Sequence, residues 1–192
     1  MASYVHNMGI KYIVDIGSRL DGFIAHILPF CEVNFVDIRP LHVVTGNLKF
    51  IHGSITDLPF ESDSVASVSS LHVIEHIGLG RYGDSVDTEG HVKAALEMQR
   101  VLQPGGVLLL GTVVGKERLC FDAHRIFDPD TIAAMFCGLN LEKFCLIDDE
   151  GKLVIEDATF ASARSCNYGC GIFIFRKQPN SQNGKLNHGT YI

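Results

Sequence analysis

Short apolar runs alternate with amphipathic stretches along most of this chain, and that alternation restricts the fold more than any single residue does. Tyr12 to Ile16 is an apolar run that ends at Gly17, and it predicts a buried strand. Phe23, Ile24, Ile27 and Leu28 then recur at helical spacing. Glu32 to Val36 reads as a second strand, Phe50-Ile51 as a brief third and Val65 to Ser70 as a fourth. A helix with Val92, Ala95, Leu96 and Leu102 on one face stops at Gln103-Pro104-Gly105-Gly106. There proline cannot continue the helix and glycine supplies the backbone the turn needs. Val107 to Leu110 is a continuous apolar strand. Asp128-Pro129 opens a further helix, with the aspartate as cap and the proline at the first position. Leu141 to Ile147 and Gly171 to Phe175 read as closing strands. Strands alternating with helices predict an α/β domain, a Rossmann-like, doubly wound and mostly parallel sheet with helices on both faces. The expected domain spans 1–176, with a polar tail over 177–192.

Ligands of such sheets bind beyond the carboxyl ends of the strands, where strand order reverses. The residues just after each strand are therefore the candidates. Gly17, in Asp15-Ile16-Gly17-Ser18-Arg19-Leu20-Asp21-Gly22, removes a side chain where backbone approaches a ligand. The helix start that follows offers free amides. Asp37 ends the second strand, twenty residues on, where an acid can accept both ribose hydroxyls. Its other reading is a solvated turn aspartate beside Arg39. Asp57, in Gly53-Ser54-Ile55-Thr56-Asp57-Leu58-Pro59-Phe60, can accept an adenine amino proton, or is an ordinary turn aspartate.

The segment Leu71-His72-Val73-Ile74-Glu75-His76 has two readings from its residues. His72, Glu75 and His76 match the His-x-x-Glu-His pattern of some zinc peptidases, which needs both histidines on one helix face. Otherwise the segment lines a pocket after the fourth strand. His72, His76 and His124 are the candidate general bases, because an unperturbed imidazole titrates near neutrality. Arg81, Tyr82 and Asp84 lie in the glycine-rich stretch from Ile77 to Gly90 and are candidates for substrate contact or for a solvated loop.

Three segments together carry a resemblance: Ile51 to Phe60, Val65 to Ile77, and Arg100-Val101-Leu102-Gln103-Pro104-Gly105-Gly106-Val107-Leu108. They resemble class I S-adenosylmethionine-dependent methyltransferases. The chain is also similar to an uncharacterised methyltransferase-like family first described from nematodes and also found in bacteria, through Asp15-Ile16-Gly17-Ser18-Arg19 and Gly80-Arg81-Tyr82-Gly83-Asp84. The resemblance implies a seven-stranded sheet with one antiparallel strand near the C-terminus. It implies S-adenosylmethionine as cofactor and S-adenosylhomocysteine as product, with Asp15, Gly17, Ser18, Arg19, Asp37, Ile38, Thr56, Asp57, Ser70 and Leu71 around it. The closer family match implies no known substrate, and the leading expectation is methyl transfer to an oxygen or nitrogen of a small-molecule or glycan acceptor. The first loop departs from the family's acid-x-Gly-x-Gly-x-Gly, because Arg19 and Asp21 take two glycine positions. Arg19 would pair with the cofactor carboxylate or fill the pocket. Some small-RNA ribose methyltransferases hold a divalent metal with a similar Glu-x-x-Glu-His segment, but His72 replaces the first Glu here, so no metal is expected.

Two other functions fit parts of the pattern. A catalytically silent binding module would keep the fold and lose the cofactor, as Arg19 and Asp21 suggest. A nicotinamide-dependent oxidoreductase would share Gly17 and Asp37, but the full Gly-x-Gly-x-x-Gly fingerprint is missing.

Composition bounds the partners. The formal net charge of -6 leaves no bulk basic surface for nucleic acid. No apolar run approaches the roughly 20 residues that span a bilayer, and no signal-peptide pattern stands at the N-terminus. The six cysteines include no Cys-x-x-Cys pair and read as reduced thiols, although Cys166 and Cys170 could pair. A cytoplasmic location without a membrane partner is expected. Little chain precedes Tyr12, so the stretches Ile77 to Gly90 and Thr112 to Phe127, or a second subunit of a homodimer, are expected to build the acceptor site.

Overall fold

A computed structural model describes residues 1–41, 45–121, 123–151 and 154–179. The chain begins with α1 (Ala2–Asn7) and β1 (Tyr12–Ile16), then an irregular helical turn over Leu20–Ile24 that runs into α2 (Ala25–Ile27). β2 (Glu32–Asp37), β3 (Leu48–His52) and β4 (Val65–Leu71) follow, and a single 3-10 turn, Ile74–His76, leaves β4. After α3 (Gly90–Val101) come β5 (Leu102–Val114) and the hairpin of β6 (Arg118–Cys120) and β7 (His124–Ile126). The chain closes with α4 (Pro129–Met135), β8 (Leu139–Ile147), β9 (Val154–Ile155), α5 (Phe160–Arg164) and β10 (Gly169–Lys177).

The main sheet has the order β3-β2-β1-β4-β5-β10-β8-β9. The first five of these strands pair in parallel, and β10 and β9 run antiparallel to their neighbours. The sheet therefore has eight strands instead of the expected seven. The extra strand is β9, two exposed residues that pair with Leu146 and Ile147 through backbone alone and carry no hydrophobic period. β10 includes Lys177, the first residue of the expected tail, whose ammonium reaches Asp63 and the Gln99 carbonyl.

Both sheet faces are buried, which is why the strands read as continuous apolar runs. Successive side chains point to opposite faces. In β5, Leu108 and Leu110 join the core under α3 and α4, while Val107 and Leu109 join the core under α1 and α2. In α3 the buried stripe is Ala94, Ala95, Met98 and Val101; Leu96, expected on it, is 59% exposed. Asp128 caps α4 by accepting from the Asp130 amide, with Pro129 at the first position. Among the described residues no helix is long and apolar enough to cross a membrane.

Strand order reverses at β1, which has β2 on one side and β4 on the other. The carboxyl ends of these strands form the crevice expected to take a ligand.

Candidate active site

A cavity of about 510 Å³ opens at that crevice. Gly17, Arg19, Asp37, Ile38, Thr56, His72 and His76 line it, joined by Ser54, Ile55 and Val73 and covered by Tyr82 to Ser85.

The β1 turn is built from below. Asp15 is fully buried and accepts hydrogen bonds from the Ser18 amide (3.1 Å), the Ser18 hydroxyl (2.8 Å) and the Ser69 hydroxyl (2.6 Å). Burial pushes its carboxyl up to about 6, against the lowering pull of those donors. The Ser18 hydroxyl in turn accepts from the Leu71 amide (2.9 Å), and the Ser70 hydroxyl donates to the Ile16 carbonyl (3.0 Å). Asp15, Ser18, Ser70 and Leu71 therefore hold the turn and stand behind the cavity wall. Gly17, at φ +68°, lets the chain reverse, and a Cβ there would press on Val73 at 3.1 Å.

Arg19 does not fill the cavity. Its guanidinium grips Asp21 (2.6 and 3.0 Å) at the rim, with 86% of its side chain exposed. Asp37 is 8% exposed, and Arg39 takes both its oxygens: the Arg39 amide and Nε donate to Oδ1, and Nη2 donates to Oδ2. Asp57 is an exposed turn residue off the cavity. On the wall beside it the Ser54 and Thr56 hydroxyls share a 2.8 Å hydrogen bond. From the run Gly53 to Phe60, Gly53, Ser54, Ile55 and Thr56 line the cavity, so of the two residues expected there Thr56 lies on the wall and Asp57 does not.

The cover is an ordered loop. Asp84 accepts from the backbone amides of Gly78 (2.7 Å), Tyr82 (3.3 Å) and Gly80 (3.4 Å). Gly78 and Gly80 have positive φ, and a Cβ on Gly78 would collide with the Asp87 carbonyl. Arg81 donates to the Ala123 carbonyl and Arg125 to the Ile77 carbonyl, so the β6–β7 hairpin anchors the loop. The Arg39 guanidinium lies 5.1 Å from the Tyr82 ring centroid, joining the cover to the Asp37 wall.

The three candidate histidines separate. His72 leaves β4 with φ +58°, outside the 3-10 turn, so His72 and His76 do not share a helix face as a zinc peptidase requires. His72 Nδ1 meets Glu75 (3.0 Å) and Nε2 meets the Cys170 sulfur (3.4 Å). His76 Nδ1 turns to the Ala123 carbonyl (2.9 Å), and its ring packs edge-on to Tyr82 and His124. His124 stands behind His76, off the cavity, with a buried Nε2 that has no hydrogen-bond partner among the described residues. Burial and the neighbouring His76 push its pKa down. Among the described residues no group of three or more His, Cys, Asp or Glu is placed to hold a metal ion.

Solved structures share this fold. The cyclase SpnF superposes with a TM-score of 0.68 at 14% identity, covering 93% of this chain and 80% of its own. The N-methyltransferase NodS from Bradyrhizobium japonicum WM9, in complex with S-adenosylhomocysteine, gives 0.63 at 12% identity, covering 92% and 85%. The 1,6-didemethyltoxoflavin-N1-methyltransferase of Burkholderia thailandensis, with its substrate and S-adenosylhomocysteine bound, gives 0.63 at 13% identity, covering 92% and 76%. At such identities the likeness is one of fold, and a cyclase among the matches shows that this fold hosts other chemistry. No curated protein matches the chain. The fold is that of class I S-adenosylmethionine-dependent methyltransferases, and a family model covering residues 57–177, more than half the chain, places it in the family described as Caenorhabditis protein of unknown function, DUF268.

Proposed function

We propose that this chain transfers a methyl group from S-adenosylmethionine to an oxygen or nitrogen of a small or carbohydrate-like acceptor. The observation that carries the reading is the cavity at the strand-order reversal, with the Gly17 turn on one side and the Asp37 carboxylate at its wall. Its volume suits a nucleoside-sized ligand. Ile38, Ile55 and Val73 offer apolar surface, and Ser54 and Thr56 offer hydroxyls. When bound, the cofactor supplies an electrophilic methyl on a sulfonium sulfur.

Asp37 would accept the ribose hydroxyls once Arg39 gives up at least one oxygen. Gly17 would let backbone approach the ligand. Tyr82 and the loop pinned by Asp84 would exclude water over the cavity. An acceptor hydroxyl gains from a base, and His76 fits that role better than His72. The His76 Nδ1 proton is donated to the Ala123 carbonyl, which leaves Nε2 as the basic nitrogen of a ring that lines the cavity. His72 is instead held protonated between Glu75 and Cys170.

A second reading is a silent module that keeps the fold without the cofactor. It draws on the Arg39–Asp37 pair, which occupies the oxygens a ribose would need. Ultraviolet cross-linking of labelled S-adenosylmethionine to the folded chain separates the two. Label on the peptides carrying Asp37 and Thr56, removed by competing S-adenosylhomocysteine, is the result for a transferase. No competed label is the result for a silent module.

A further inference from the structure

Cys170, His72 and Glu75 form a line of side chains that the methyl-transfer reading does not use. The Cys170 sulfur is 3.4 Å from His72 Nε2, His72 Nδ1 is 3.0 Å from Glu75 Oε1, and Glu75 Oε2 accepts from the Thr112 hydroxyl at 3.0 Å. Sheet register brings them together. Leu71 at the end of β4 pairs with Gly111 of β5, and Thr112 pairs with Gly171 at the start of β10. The residues that follow or flank these pairs are His72 and Cys170. Glu75 is 1% exposed, and both its oxygens are committed to this line. A buried carboxylate is costly unless its partners hold it in one place. His72 adopts a left-handed backbone, pinned by its own amide on the Gly111 carbonyl at 2.8 Å. Strain of that kind persists where the surroundings over-determine it, and it gathers at functional sites.

An imidazole with a carboxylate on one nitrogen and a thiol on the other is arranged to take the proton of a nucleophile. We propose that Cys170 is a nucleophilic thiol that captures α,β-unsaturated carbonyl compounds, with His72 as its base and Glu75 as the positioning residue, in a reaction distinct from the proposed methyl transfer and at the edge of the same cavity. The thiol proton already rests on His72 Nε2 when the sulfur forms a bond to the β-carbon. The carbon–carbon π pair moves to the α-carbon as an enolate, and Nε2 returns the proton there. No further reactant is consumed. The proton is well held in between, because Cys170 and Glu75 as acceptors raise the His72 pKa to about 10. The other cysteines differ. Cys31, Cys145 and Cys166 are buried, and burial pushes the Cys31 thiol up to about 11. Cys137 is exposed, and among the described residues no cysteine other than Cys170 bonds a histidine.

The test is labelling of the folded full chain at pH 7 with limiting N-ethylmaleimide, itself an α,β-unsaturated carbonyl, with each cysteine followed by peptide mass spectrometry. Cys170 is expected to react about tenfold faster than the more exposed Cys137. His72→Asn, chosen because asparagine tolerates a left-handed backbone, and Glu75→Gln should each bring Cys170 down to the Cys137 rate while the Cys137 rate itself holds. Parity of Cys170 and Cys137 in the parent would overturn the proposal without any variant being needed. So would a Cys170 rate that neither substitution lowers.

Discussion

Arg39 covers both carboxylate oxygens of Asp37, with Nε 3.0 Å from Oδ1 and Nη2 2.8 Å from Oδ2, at the point where the fold would present an acid to a ribose. The pair is asymmetric in burial: 8% of the Asp37 side chain is exposed but 56% of Arg39. The arginine is therefore the partner that can leave. An ion pair with one arm in solvent contributes about 1 kcal/mol or less. Arg39→Ala should accordingly tighten S-adenosylhomocysteine binding by up to about fivefold. Weaker binding in Arg39→Ala would show that the arginine serves the ligand directly instead of competing with it.

His76 should matter to turnover and little to cofactor affinity. Its Nδ1 is committed to Ala123, and its basic nitrogen is the one available to an acceptor. His76→Asn should lower label transfer from S-adenosylmethionine into a small-molecule extract by about a hundredfold or more. The S-adenosylhomocysteine dissociation constant should stay within about twofold. An equal loss in both would assign His76 to cofactor binding.

Asp15 makes stability fall as pH rises. Its folded pKa, about 6, lies above the ordinary 3.8, so the native state binds more protons than the unfolded chain between those values. Its contribution is fully present below about pH 4 and is lost as pH climbs through about 6, a change on the order of 3 kcal/mol. Asp15→Asn removes the charge, and the Ser18 and Ser69 hydroxyls can rotate to accept from the new amide. Urea unfolding of both chains at pH 4 and pH 7 should show the variant gaining on the parent at the higher pH. A constant difference would mean that Asp15 is charged in the fold at little cost.

The loop cover depends on Gly78. Its φ of +78° and its closeness to the Asp87 carbonyl leave no room for a side chain. Gly78→Ala should cost roughly 1–3 kcal/mol and expose the 79–86 segment to protease before the rest of the chain. Unchanged proteolysis would show that the loop re-forms around alanine.

The parallel half of the sheet was legible because strands buried on both faces leave continuous apolar runs, as in Val107 to Leu110. Val154 and Ile155 were not, since an exposed two-residue edge has neither length nor period. The β6–β7 hairpin was hidden in the same way, and it shows itself only in anchoring the loop over the cavity. At the site, Asp37 followed from its spacing after Gly17, because strand–helix–strand geometry fixes where the second strand ends. The Asp37 oxygens being taken by Arg39 could not be read, since the same two residues also suit an open turn. Asp57 drew attention by its charge but lies off the cavity, whereas the expected Thr56 lies on its wall beside the Ser54 hydroxyl, which no spacing singled out. The link between His72 and Cys170 spans 98 positions and exists only through sheet register, so no local spacing announces it.

The most direct measurement is calorimetric titration of the folded chain with S-adenosylhomocysteine beside an Asp37→Ala variant. The account predicts micromolar binding by the parent, lost by about tenfold or more in the variant. A folded parent that gives no binding, with Arg39→Ala equally silent, would contradict the cofactor cavity and leave the fold as a module without S-adenosylmethionine chemistry.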